Sequence, residues 1–92
     1  MGFTKESAVD AAKSDLARRL SVREGDIKVS STADSDFPDM SLGAPETGEM
    51  SAQMISSGWK ISLNAGGKNY EYRGDKYQLR LKDFKGKNIK VG

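Results

Sequence analysis

Apolar side chains recur along this chain with two different periods. Over residues 5–20, Val9, Ala12, Leu16 and Leu20 are spaced by threes and fours, which aligns them on one face of an amphipathic helix. Ala8 and Ala11 widen that stripe, while Lys13, Asp15, Arg18 and Arg19 occupy the rest. Thr4 or Ser7 offers an N-cap, and Arg18 and Arg19 bring cations to the last turn, where the helix dipole favours them. A turn containing Gly25 follows, and the period then falls to two. Ile27 and Val29 alternate with Lys28 and Ser30 in a strand over 26–31. Ala52, Met54 and Ile55 predict a second strand over 51–56. The strongest alternation is Trp59, Ile61 and Leu63 in a strand over 59–64, followed by a hairpin turn at Gly66-Gly67. Tyr70 and Tyr72 share a face of a return strand over 68–73, with a turn at Gly74-Asp75. Tyr77, Leu79 and Leu81 mark a strand over 76–82, and Ile89 and Val91 a short one over 88–91. The order implies an α+β domain, one N-terminal helix packed on an antiparallel sheet of four to six short strands. Ninety-two residues make one such domain, residues 1–92, with room for a single core.

One interval breaks both periods. Residues 34–50 hold both prolines, Pro38 and Pro45, with Gly43 and Gly48 and the acids Asp34, Asp36, Asp39, Glu46 and Glu49. Phe37, Met40 and Leu42 lie among them and call for burial, which a plain polar connector does not need. The interval therefore reads as an ordered loop framed by Pro38, Gly43, Pro45 and Gly48. Phe37, Asp39, Met40, Ser41, Leu42 and Glu46, with Trp59 on a neighbouring strand, are the candidate binding residues.

Composition narrows the chemistry. The chain has no histidine and no cysteine, which excludes Ser-His-Asp and Cys-His catalysis, histidine-based zinc sites and disulfides. No enzyme activity and no cofactor are expected. The triplet Asp34, Asp36, Asp39 lacks the central glycine and closing glutamate of a calcium loop, so no metal is expected. Arg73-Gly74-Asp75 spells an adhesion tripeptide, but a glycine turn between strands explains the same residues. Nothing in the pattern brings Ser41 to Lys60 as a serine-lysine pair. Trp59, Tyr70 and Tyr72 could floor a groove, although aromatics on adjacent strands more often form cross-strand core pairs.

The formal net charge of +2 is unevenly spread. No basic residue lies between Lys28 and Lys60, whereas Lys68, Arg73, Lys76, Arg80, Lys82, Lys85, Lys87 and Lys90 crowd the last third. Those cations with interleaved tyrosines could bind nucleic acid, although such lysines more often shield edge strands from aggregation while the tyrosines pack in the core. No apolar run reaches the roughly 20 residues of a membrane span. The N-terminal residues carry neither a basic head nor an apolar stretch, so a cytoplasmic location is expected.

From Phe37 to Asp75 the chain resembles a small, largely uncharacterised bacterial and archaeal domain family. That family's loop runs Trp-Pro-Asp-x-Ser-Leu-Gly-Cys-Pro, followed by x-Ala-Gln, Gly-Tyr-x-Ile-x-Leu and Tyr-x-Tyr-His. Pro38, Asp39, Ser41, Leu42, Gly43, Pro45, Ala52, Gln53, Gly58, Ile61, Leu63, Tyr70 and Tyr72 match it. Phe37, Ala44, Trp59 and Arg73 stand where Trp, Cys, Tyr and His are usual, so thiol or histidine chemistry would be lost here. The resemblance implies a fold and no assigned activity. Glu71 to Lys76, with Asn88-Ile89 and Val91-Gly92, is also similar to the C-terminal half of potato type I serine-protease inhibitors. That likeness implies an arginine, here Arg73, reaching back to brace an exposed loop. The segment before Tyr70 is only a glycine hairpin, too short for a reactive loop.

The expected function is a non-catalytic interaction module, a monomer using the 37–50 loop and adjacent strands, including Arg73, to hold a protein or peptide partner. The alternatives are a serine-protease inhibitor and a weak nucleic-acid binder.

Overall fold

A computed structural model describes residues 2–92. Helix α1 spans Lys5–Leu20, and a short 3-10 turn, Glu24–Asp26, leads into five strands. These are β1 (Ile27–Phe37), β2 (Ser56–Ala65), β3 (Lys68–Asp75), β4 (Leu79–Phe84) and β5 (Lys87–Lys90). They form one antiparallel meander in the order β1-β2-β3-β4-β5, as expected of strands joined by short connections.

The helix forms where its periodicity places it. Thr4 is the N-cap: its hydroxyl accepts the Ser7 N–H at 3.1 Å, and the Ser7 hydroxyl accepts the Thr4 N–H at 2.8 Å. Ala8, Ala12, Leu16 and Ala17 are buried against Ile61, Leu63, Tyr72, Leu79 and Leu81 of the sheet. Alanines on the contact stripe let the helix axis approach closely, and each buried leucine or isoleucine contributes about 1.5–3 kcal/mol. Asp15 departs from the amphipathic pattern. It is buried, accepting the Tyr72 hydroxyl at 2.7 Å and Arg19 Nε at 2.7 Å. Burial and the hydrogen bond to Asp15 push the Tyr72 phenol well above its ordinary pKa, so the phenol stays protonated as the donor in this link.

Several strand boundaries differ from the periodic expectation. The strand expected over 51–56 does not form: residues 51–55 run irregularly, held by the Met40 N–H donating to the Ala52 carbonyl, and β2 starts only at Ser56. An alternating apolar pattern there finds no partner strand, and Met54 and Ile55 stay exposed. Strand β1 continues six residues past Ser31 because Thr32 through Phe37 pair with Ile61 through Ser56. The acidic stretch from Asp34 to Phe37 is therefore strand, and the loop proper begins at Pro38. Gly74 and Asp75 belong to β3, with the turn displaced to Lys76, Tyr77 and Gln78. The Asp75 carboxylate closes that turn by accepting the Tyr77 and Gln78 N–H groups, which leaves Tyr77 exposed and delays β4 to Leu79. Gly58 explains one close approach: a Cβ there would lie 2.1 Å from the Gly74 carbonyl oxygen across the β2–β3 ladder.

Candidate functional site

The helix covers one face of the sheet; the loop from Pro38 to Met50 covers part of the other. On that second face β3, β4 and β5 present Arg73, Arg80 and Asn88, joined by Gln78 from the turn before β4. These four side chains take four loop carbonyls. Gln78 Nε2 donates to Met40 O, and Arg73 Nη1 to Leu42 O at 2.9 Å. Arg80 Nη1 donates to Ala44 O at 3.1 Å, and Asn88 Nδ2 to Pro45 O at 2.9 Å. The loop is thus fastened to the sheet by its own backbone at regular intervals.

Its internal shape is set by two carboxylates. Asp39 Oδ1 accepts the Ser41 N–H at 2.9 Å, the Ser41 hydroxyl at 2.6 Å and the Gly43 N–H at 3.2 Å. Those bonds, the Ser41 hydroxyl foremost, hold the Asp39 carboxyl below its ordinary pKa. Glu49 receives both terminal nitrogens of Arg80, with Nη2 at 2.7 Å from Oε2, and its Oε1 accepts the Glu46 N–H at 3.0 Å. The fork-to-carboxylate pairing with Arg80 leads in drawing the Glu49 pKa down to about 2. The same pair raises Arg80, so both partners stay charged.

Between these carboxylates the backbone turns through Leu42 at φ 59° and Gly43 at φ 67°. The left-handed conformation is costly for leucine, by about 1–2 kcal/mol. Complete burial of the Leu42 side chain offsets that cost. Gly43 is needed twice over, because a Cβ on it would fall 2.6 Å from Arg73 Nη1.

The structure separates the sequence candidates into two groups. Phe37, Ser41 and Leu42 are buried, and Phe37 carries the Arg73 guanidinium 5.5 Å from its ring centroid. They are the underside of the loop, so their side chains are turned away from any partner. Arg73 is a brace for the Pro38–Met50 loop, also bonded to Glu71 at 2.6 Å. Trp59 is half-buried on the helix face, away from the loop. Asp39 is spent on capping, and Glu46 Oε2 accepts the Lys90 N–H at 3.2 Å. Met40 alone of the apolar trio reaches the surface, taking the Ser56 hydroxyl on its sulfur at 3.3 Å. Ser41 does not meet Lys60, which is exposed elsewhere on β2.

Sequence reasoning missed Gln78, Arg80, Asn88 and Glu49 as loop partners. A signal existed, since β-alternation puts Arg80 opposite Leu79 and Leu81 and across from Arg73. A polar residue on the face away from the helix reads as solvated until something is known to cover it. The exposed segment after the loop was also missed. Met50, Met54 and Ile55 are 97%, 62% and 76% exposed.

Of the three tyrosines that the nucleic-acid alternative would use, only Tyr77 is exposed. Tyr72 is in the core, and Tyr70 packs on Phe84 with centroids 6.2 Å apart. Lys68, Lys82 and Lys85 line a recess of about 240 Å³ beside that pair, together with Glu71 and Asp83. Among the described residues no cluster of acids could hold a metal ion, and no helix is long and apolar enough to cross a membrane.

A single helix on a five-stranded meander, with a braced loop on the opposite face, defines a small α+β domain. The chain belongs to the family described as Domain of unknown function (DUF8738), which matches residues 9–81. The match takes in most of α1, the whole loop, and three of its four braces, Arg73, Gln78 and Arg80. Comparison with curated proteins and with solved structures gave no match.

Proposed function

We propose that this chain is a non-catalytic protein-binding module whose contact surface is formed by Met40, Met50, Met54 and Ile55 at the edge of the braced loop. The observation that carries this reading is the near-complete exposure of Met50, with Met54 and Ile55, in a domain whose other leucines and isoleucines are mostly packed. Exposed apolar side chains grouped in one segment favour association, and methionine adapts its shape to a partner at little cost. The braces beneath the loop support the reading further, because a pre-ordered mount lowers the entropy lost on binding. Every charge from Val29 to Trp59 is acidic, so the complementary partner presents apolar side chains bordered by lysine or arginine.

Photo-methionine incorporated in place of methionine tests this. Ultraviolet capture in the source cells should crosslink a discrete protein through positions 40, 50 or 54. That protein, once purified, should bind the unmodified chain about tenfold more tightly than the Met54→Asp, Ile55→Asp variant. Equal affinity for both chains, or capture unaffected by the substitutions, would overturn the proposal.

One observation favours a second reading, serine-protease inhibition. Arg73, the position that the inhibitor likeness singles out, reaches back to a loop carbonyl with Arg80 beside it, although the loop held is 38–50 and not the segment before Tyr70. The exposed stretch Pro45 to Gly48 would then be the presented segment. Inhibition of a serine-protease panel without cleavage of the chain between residues 44 and 49 is the expected result; proteases that remain fully active remove this reading.

A further inference from the structure

Strand β1 is a sheet edge of an unusual kind. Among the described residues it is paired with β2 alone, along ten positions from Ile27 to Phe37, and its other side is free. Natural edges are commonly short, lysine-bearing or covered. The opposite edge, β5, conforms: it is four residues long, begins and ends in lysine, and follows a register irregularity on β4. β1 is eleven residues long, and from Lys28 to Asp34 every residue is exposed, so neither helix nor loop covers it. Its single irregularity lies between Val29 and Ser31, which leaves a regular run from Ser31 to Phe37 available for pairing.

The charge on that run says what can pair with it. Asp34 and Asp36 are exposed, and β1 carries no basic residue beyond Lys28. A second copy would bring the same carboxylates to the same edge, which disfavours self-pairing. Beside them lies a recess of about 300 Å³ lined by Asp34, Ser35, Asp36, Ser57, Gly58 and Trp59. One cation already pairs with its rim: Lys5 Nζ, from the first turn of α1, is 2.8 Å from Asp34 Oδ1. Among the described residues, Asp36 Oδ1 accepts the neutral Ser57 hydroxyl at 2.8 Å and pairs with no cation. A recess that a tryptophan lines together with two carboxylates suits a lysine or arginine head group.

We infer that the free edge of β1 receives an extended, basic segment of a partner protein by strand addition. One lysine or arginine of that segment sits in the recess against Asp36, Asp34 and Trp59. This deepens the protein-binding reading above and rests on it. Backbone hydrogen bonds along Ser31 to Phe37 supply the affinity, and the recess supplies selection for a cation. The intramolecular Lys5 is then a competitor that the incoming side chain displaces from Asp34.

The test uses the full chain and a synthetic peptide of about eight residues alternating lysine or arginine with valine or threonine, a typical strand length. Binding is read by anisotropy and by amide shifts in nuclear magnetic resonance. The basic peptide should bind and shift the amides of residues 30–37. A version N-methylated at alternate residues, and an acidic counterpart, should not bind. Asp36→Asn should weaken binding by about two- to fivefold, whereas Lys5→Ala should strengthen it by a similar factor. That increase is not what a purely structural lysine would produce. Equal binding of the N-methylated peptide, shifts confined to other strands, or concentration-dependent dimerisation through β1 would overturn the inference. Failure of the peptide alongside intact photo-capture at Met54 rejects strand addition and spares the module; failure of both rejects the two together.

Discussion

Arg80 and Leu81 are neighbours on β4, and both are buried, at 2% and 0% exposure. They point to opposite faces of the sheet and are held by different physics. Leu81 lies among Leu16, Ile61, Leu63 and Tyr72 under the helix, where any well-shaped apolar neighbour would serve. Arg80 lies beneath the loop, where acceptors at fixed positions, the Glu49 carboxylate, the Ala44 carbonyl and the Gln78 side-chain oxygen, make its burial tolerable. The comparison teaches that the helix face makes the fold stable, while the loop face makes one loop conformation unique. Asp15 is the instructive exception, a polar link from Tyr72 and Arg19 set into the apolar side.

The contrast can be broken at several points. Leu63→Ala should have the largest effect, a loss of about 2–5 kcal/mol in global stability measured by chemical denaturation, since a fully buried leucine leaves a cavity. Arg80→Met should cost less, about 1–3 kcal/mol, because Glu49 keeps some access to water. Hydrogen exchange separates the two variants. In Arg80→Met the amides of residues 41–46 lose protection while β2 and β3 keep theirs, whereas Leu63→Ala lowers both together. Gly43→Ala should follow at about 1–2 kcal/mol, from a left-handed φ and displacement of Arg73. Met54→Asp with Ile55→Asp should stay within about 0.5 kcal/mol, as these side chains touch little in the free chain.

Acid provides a cut without mutation. A carboxylate whose folded pKa is depressed contributes stability that is complete above its unfolded value and lost as pH falls through the folded one. For Glu49 that window runs from 4.5 down to about 2, and Asp39 is shifted in the same direction. Loop amides should therefore lose exchange protection across this window earlier than those of Ile61 and Leu63. Glu49→Gln should flatten much of the dependence. Simultaneous loss of loop and core protection in the native chain would show that the two faces are not separable.

The helix, the Gly66-Gly67 hairpin and the apolar face of β2 to β4 were legible because each rests on local periodicity or a turn residue. The loop's order was legible too, through apolar residues among prolines and glycines, but its orientation was not. Phe37 and Leu42 look like contact residues in sequence, and in the fold they are anchors. A buried apolar side chain and an exposed one have the same letter. Residues 51–55 misled as well, since their alternation suits a strand yet they pair with none.

The helix, the β2–β3 hairpin, the apolar sheet face and the absence of histidine and cysteine chemistry follow from the sequence alone. So does the acidic character of everything from Val29 to Trp59. Only the tertiary structure decided that Arg73, Gln78, Arg80 and Asn88 converge beneath the loop opening on Pro38. It alone decided that Asp15 is buried and that one long edge of the sheet is left open. The physical reason is range. Backbone preference and hydrophobic periodicity act between neighbours, whereas a charged group can be buried only after the chain has brought its partner from more than 30 residues away, as Glu49 comes to Arg80.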